Sequence, residues 1–159
     1  MGAHAASANK GPIVHAYHEL RALAEAKGQS FFFESTVMDG TPIFSLFGRT
    51  LPCVELRSFR GLLNSTSNVV LTEMENGLDF DAAVRRAQEI GVAETDPSDD
   101  LDGWDPAVKI CALAIVLMDV PLKLADVERT GIRGLTPEAV RAAPCRGPAL
   151  QTHLPCGAP

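Results

Sequence analysis

Apolar residues at Ile13, Ala16, Tyr17, Leu20, Leu23 and Ala24 recur at steps of three and four, the stripe of an amphipathic helix. Pro12 suits the first helical position, where its missing N–H costs nothing. Gly28 is placed to end this helix as a left-handed cap. Ser30 to Phe33 reads as a short buried strand with Glu34 at its end. The stretch from Ser35 to Thr41 reads as a loop around the turn pair Asp39-Gly40. Thr41-Pro42 predicts a cap and first residue for a short helix through Phe47. Val54, Leu56 and Ser58 alternate with Glu55, Arg57 and Phe59, a weaker strand signal continuing towards Leu63.

Asn64-Ser65-Thr66 offers capping groups for a helix through Glu75, closed by Gly77. Asp79 opens the next, with Phe80, Ala83, Val84 and Ala87 on one face and Gly91 at its end. Asp105-Pro106 starts a strongly apolar helix running through Met118 and stopped before Pro121. Thr136-Pro137-Glu138 begins a last short helix. Helices interleaved with few strands predict an α/β fold, a mixed α+β layer domain. From Arg141 to Pro159 the periodicity is lost: six of nineteen residues are Pro or Gly. Such a segment cannot bury enough surface to offset its ordering entropy. It reads as a disordered or frame-shifted tail.

Composition narrows the class. At 46% hydrophobic and 21% charged, the chain is globular. Its longest apolar run, the nine residues Ile110 to Met118, is far short of the ~20 needed to span a bilayer. The first residues show no basic segment leading into an apolar one, so no secretion signal is read. Cys53, Cys111, Cys145 and Cys156 are widely spaced and without a Cys-x-x-Cys pair, which argues against a zinc site or a dense disulfide framework. A cytoplasmic location is the expectation.

The net charge of −6 has one source. Glu94 to Asp105 holds six carboxylates and no Lys or Arg, and the rest of the chain balances at fourteen acids and fourteen bases. Without a basic cluster there is no electrostatic footprint for nucleic acid. The acidic stretch has three readings. One is a solvated turn whose acids suit a helix N-terminus. A second is an EF-hand-like calcium loop, with Ser98, Asp100, Asp102 and Gly103 near the expected spacing. There the final position, which should be a bidentate Glu, is Lys109. The third begins at Lys109, four residues after Asp105 and so able to project from the same helix face. An ammonium at the start of a buried helix, near clustered carboxylates, is a candidate proton donor. Neighbouring acids can hold a substrate ammonium group, so this reading suits a polar, amino-acid-like ligand undergoing acid/base chemistry. Against it stands an ordinary i,i+4 ion pair.

Four segments carry a family resemblance: Ala8-Asn-Lys-Gly-Pro12, Glu34-Ser-Thr-Val-Met-Asp-Gly-Thr-Pro-Ile43, Gly61-Leu-Leu-Asn-Ser-Thr-Ser-Asn68 and Gly91 to Lys109. In order and spacing they resemble homoserine dehydrogenase, the NAD(P)-dependent oxidoreductase that interconverts L-homoserine and L-aspartate 4-semialdehyde in threonine, methionine and isoleucine biosynthesis. The resemblance implies that Lys109 donates the proton to the aldehyde oxygen, or removes it in reverse. It implies that Glu94 and Asp105 bind substrate through its ammonium, and that Asp100 supports them by hydrogen bonding and charge. Lys10 is implied as a second active-site lysine near the nicotinamide, and Gly91 as a backbone contact to NADP or NAD. A monovalent cation, sodium, is implied at the backbone of Glu34, Val37, Asp39 and Thr41. A homodimer, or pairing with an intact subunit, is the implied assembly.

The family places a Rossmann domain before the Ala-Asn-Lys motif, with a Gly-rich turn cradling the pyrophosphate. No Gly-x-Gly-x-x-Gly occurs in this sequence. The expectation is therefore a partial catalytic domain over residues 8–140, with 1–7 a remnant of the cofactor domain and 141–159 the tail. A catalytically inactive remnant or dimerisation module is the alternative. His15 and His18 read as surface or packing residues, Phe31-Phe32-Phe33 as a buried strand and Cys111 as core. Thr66 and Ser67 read as helix-capping groups rather than ligand contacts.

Overall fold

A computed structural model describes residues 2–143. It divides into two compact units. Among the described residues, the first comprises 2–59 and 108–127 and the second comprises 60–107 and 128–143. The expected tail lies, from residue 144 on, outside the described residues.

In the first unit, β1 (Ala5–Ala6) and β2 (Phe31–Phe32) pair in parallel, with Ala5 opposite Phe31 and Ala6 opposite Phe32. Parallel strands need a crossover, and α1 (Gly11–Ala26) supplies it. Pro12 lies in its first turn, and Gly28 takes φ +61 just past its end. A break at Ala16 (φ −151°, ψ 26°) interrupts the helix. α2 (Ser35–Met38) and α3 (Ile43–Thr50) follow, then a segment without regular structure. The run Ile110–Ile115 of α7 (Trp104–Met118) is buried, as are Ile13, Val14 and Tyr17 of α1. Phe33 meets Tyr17 and Phe44 edge-on, at 5.5 and 5.1 Å between ring centres. Such aromatic contacts add about 0.5–1.5 kcal/mol beyond their burial.

Three expectations change here. Phe32 is 55% exposed while Phe31 and Phe33 are half-buried, so the phenylalanine run is one-sided and not a buried strand. Alternation across the strand explains it: neighbouring side chains point to opposite faces. Part of the expected loop 35–41 is the helical turn α2, held by Thr36, whose N–H and hydroxyl both donate to the Phe33 carbonyl. The strand expected from Val54 does not form. Val54 and Leu62 are 52% and 55% exposed, and no strand edge among the described residues pairs with this segment. An alternating sequence with neither a buried face nor a partner gains nothing from extension.

The second unit is helical. α4 (Ser65–Glu75) packs with α5 (Phe80–Glu89), α6 (Ser98–Leu101) and α8 (Pro137–Ala142). Val70, Met74, Ala83, Ala87 and Leu101 form the core, with Phe80, Val84, Ile132 and Val140 against it. Three helices start on the caps expected from their sequences. Asn64 accepts from the Ser67 N–H, Asp79 from Ala82 and Thr136 from Ala139. Each cap contributes about 1 kcal/mol. Gly77 and Gly91 close α4 and α5 with positive φ, as expected. No described helix is long and apolar enough to cross a membrane.

Candidate active site

The acidic stretch is ordered by its own short bonds and by a strap of chain. Asp96 accepts from the N–H and hydroxyl of Ser98, at 3.2 and 2.6 Å. The Ser98 hydroxyl foremost, then the Ser98 N–H, holds the Asp96 carboxyl below the usual carboxylate range, with a smaller contribution from Arg133. One helical turn, α6, forms inside what the sequence presents as a loop. From the other side, the strap 129–133 runs across it. Arg129 donates to the Asp102 carbonyl at 2.6 Å and stacks over the Trp104 ring at 3.4 Å. Arg133 pairs with the Asp102 carboxylate and donates to the Ser98 hydroxyl. The Ile132 N–H donates to the Leu101 carbonyl. Mutual repulsion among the acids is thus offset at Asp102 by the Arg133 guanidinium, while Arg129 holds the backbone.

Two of the expected site carboxylates are brought together. The side-chain amide of Asn64 donates to Asp100 Oδ1 at 2.6 Å and to Asp105 Oδ2 at 3.2 Å. Its oxygen is committed to the Ser67 N–H at 2.8 Å. Asn64 is 8% exposed, and both carboxylates are half-buried. Ser67 adds a second tie, its hydroxyl donating to the Asp100 carbonyl at 3.1 Å. Sequence reasoning treats Asn64 only as a cap and misses this bridge. Thr66 and Ser67, read as capping groups, instead tie α4 to other segments: Ser67 to the acidic stretch, and Thr66, whose hydroxyl donates to the Val92 carbonyl, to the chain just before it.

Glu94 is exposed, and its backbone is anchored by Gln88, whose amide donates to the Glu94 and Thr95 carbonyls at 3.1 Å each. Gly91 ends α5 at φ +73 with nothing within 4 Å of where a Cβ would stand. That positive φ favours glycine, and the Gly91 N–H donates to the Gln88 carbonyl at 3.0 Å.

Lys109 is half-buried on α7, four residues along the helix from Asp105. The residues after it, Ile110 and Cys111, are 4% and 0% exposed. Burial, and to a lesser degree Asp126, pushes the Cys111 thiol up, and its sulfur donates to the Leu122 carbonyl. Lys10 is half-buried at the N-terminal end of α1, where its carbonyl accepts from Ile13 and Val14. The preceding Asn9 accepts from the Gly11 N–H at 2.8 Å. His15 is exposed, and His18, also exposed, lies 3.7 Å from Asp119.

The stretch Glu34–Thr41 has a different economy of bonds from the one its sequence suggests. The Glu34 carboxylate accepts from the Phe44 N–H at 2.8 Å and from the N–H and hydroxyl of Ser45. It thereby caps α3, the job assigned by sequence to Thr41. Opposite charge at a helix N-terminus is favoured by the helix dipole. Val37 is buried, Asp39 takes φ +48, and Thr41 is exposed. Among the described residues no group of three or more His, Cys, Asp or Glu side chains is placed to hold a metal ion.

Known proteins match this chain closely. It is 44% identical over 145 residues to a homoserine dehydrogenase of Methanocaldococcus jannaschii, covering 91% of this chain and 43% of that protein. It is 42% identical over 142 residues to an NAD(+)-dependent homoserine dehydrogenase of Pseudomonas canavaninivorans, covering 89% and 40%. A solved hyperthermophilic archaeal homoserine dehydrogenase in complex with NADPH superposes with a TM-score of 0.68 at 34% identity, over 77% of this chain and 40% of that one. The chain spans less than half the length of these relatives. A family model for homoserine dehydrogenase matches residues 42–153, a span that includes the bridged carboxylates and Lys109, and the chain belongs to the homoserine dehydrogenase family.

Proposed function

We propose that this chain supplies the substrate-binding and proton-transferring part of a homoserine dehydrogenase, in the interconversion of L-homoserine and L-aspartate 4-semialdehyde. The observation that carries the proposal is the Asp100–Asn64–Asp105 bridge, set within the stretch that most resembles the family. A neutral donor adds no charge of its own beside the carboxylates it holds, and Asp105, with Glu94, binds the substrate ammonium. Asp100 supports them. Lys109 stabilises negative charge as it develops on the aldehyde oxygen and then protonates it. In reverse, Lys109 accepts the hydroxyl proton as the carbonyl forms.

A nicotinamide cofactor, when bound, supplies or accepts the hydride. The residues that would contact it are Gly91, where no atom lies within 4 Å of the missing side chain, and Lys10. A pathway role in threonine, methionine and isoleucine synthesis, a cytoplasmic location, and a homodimer or pairing with an intact subunit belong to the same proposal. So does sodium on the backbone oxygens of Glu34, Val37, Asp39 and Thr41. The alternative reading is a catalytically inactive or dimerising module.

Two measurements test these readings. Homoserine titrated into the purified chain, followed by NMR, should perturb Glu94 and Asp105, and Asp105→Ala should abolish the response. A response unchanged by that substitution, or none at all in the parent chain, overturns the substrate assignment. NADPH oxidation with aspartate semialdehyde should be absent from the chain alone. Turnover at the rate of an intact homoserine dehydrogenase would rule out the inactive reading.

A further inference from the structure

We infer that Asn64 is a positioning residue for the acidic site: its amide holds Asp100 and Asp105 as a pair while its oxygen caps α4. The inference deepens the function proposed above and rests on it for the identity of the substrate. The orientation of the amide is set by chemistry. A backbone N–H, from Ser67 at 2.8 Å, requires an oxygen opposite it. That leaves the NH₂ group facing the carboxylates, and it reaches both, at 2.6 and 3.2 Å. The two carboxylates take both N–H donors of the side-chain amide, and the Ser67 N–H takes one lone pair of its oxygen. Ser67 is three residues from Asn64, but the two carboxylates lie thirty-six and forty-one residues away. One residue therefore ties the start of α4 to α6 and to the first turn of α7.

A cap alone does not need asparagine. Serine and aspartate serve the N-cap about as well, because the task requires only an acceptor. Holding two carboxylates side by side requires a donor, and like charges left adjacent without one repel. Neutrality matters as much: a Lys or Arg in this place would compete with the substrate ammonium for the same oxygens. Asn64 thus draws the two acids together without adding a charge of its own. Ser67 assists from the backbone side through the Asp100 carbonyl, fixing the peptide while Asn64 fixes the carboxylate.

The decisive comparison uses Asn64→Ser, which keeps the cap acceptor and replaces the two N–H donors with a single O–H on a shorter side chain. Its thermal midpoint should fall by several degrees, the cost of the lost bonds to carboxylates with the cap retained, while the chain stays folded at about 25 °C. Its affinity for homoserine should fall by about tenfold to a hundredfold, the range for a lost hydrogen bond to a charged group. Asn64→Asp, which also keeps the cap, should bind no better than the Ser variant. A separate readout needs no substrate. The side-chain amide protons of Asn64, observed in ¹⁵N-labelled chain, should move upfield in Asp100→Ala and again in Asp105→Ala. If the amide responds in both but the parent chain binds no homoserine, positioning stands and the substrate assignment falls. If the amide ignores both substitutions, or if Asn64→Ser binds homoserine as the parent does, Asn64 is only a helix cap and the inference is wrong.

Discussion

Gly131 lies against the carbonyl of Leu101 so closely that a Cβ added to it would stand 2.7 Å from that oxygen and 2.9 Å from the Cα of Asp102. Both neighbours are backbone, which cannot swing aside as a side-chain tip does. The strap therefore crosses the acidic turn at a point where only glycine fits. Gly131→Ala should cost about 1–3 kcal/mol by overpacking, read as a lower urea midpoint with an unchanged slope. Gly134→Ala is the control: its φ is +83 but nothing lies within 4 Å, so its cost should be about 1–2 kcal/mol from backbone strain alone. The two differ in where the damage appears. Only the Gly131 variant should speed amide exchange at Ile132, whose N–H bonds to Leu101.

Asp96 predicts an acid-side pH dependence with a defined sign. Its carboxyl titrates lower in the folded chain, chiefly because the Ser98 hydroxyl donates to it. A group with a depressed folded value stabilises the fold above its ordinary titration range and loses that contribution as pH falls through the depressed value. Carboxyl ¹³C titration should show Asp96 protonating below the range usual for an exposed aspartate. Ser98→Ala should raise it by removing the largest cause. An Asp96 titration that is the same in both chains would contradict the assignment.

The capping role of Glu34 separates a structural bond from a cation site. Its carboxylate receives the Phe44 and Ser45 N–H groups and the Ser45 hydroxyl. Glu34→Ala should destabilise the chain by about 1–2 kcal/mol. If sodium is held by backbone oxygens, the loss should be the same in sodium as in a large organic cation. A stability loss seen only in sodium would instead make the Glu34 side chain a cation ligand.

What the sequence makes legible follows the range of the interactions. The caps at Asn64, Asp79 and Thr136 bond three residues ahead, so a local pattern contains both partners. The left-handed turns at Gly28, Gly77 and Gly91 are equally local. The cap on α3 comes from Glu34, ten residues before its partner Phe44, and sequence reasoning assigns it to the adjacent Thr41. The strand expected at Val54 fails for a related reason, since a strand is completed only by an edge elsewhere. In the site, Asp100 and Asp105 are visible as members of an acidic cluster. Nothing local says that Asn64 joins those two, or that Arg133 pairs with Asp102 from thirty-one residues away. An inward-facing amide before Thr66 and Ser67, both also buried, is the one signal that more than capping is at work.

Cys111 and Cys53 offer a contrast that tests the burial of α7. Cys111 is fully buried, with its thiol pushed up by desolvation first and by Asp126 second. Cys53 is exposed, in the segment that follows α3. Alkylation proceeds through the thiolate, so a raised and inaccessible thiol reacts slowly on both counts. Brief treatment of the native chain with iodoacetamide at neutral pH, followed by peptide mass spectrometry, should label Cys53 and spare Cys111. Labelling of Cys111 should appear only when urea unfolds the chain. Because Cys111 follows Lys109 by two positions on the same helix, its protection also reports whether the helix bearing the proposed proton donor is packed. Asp105→Ala should leave Cys111 protected if that carboxylate acts on substrate. Equal loss of Cys111 protection and of homoserine binding in that variant would show that Asp105 holds the helix in place instead.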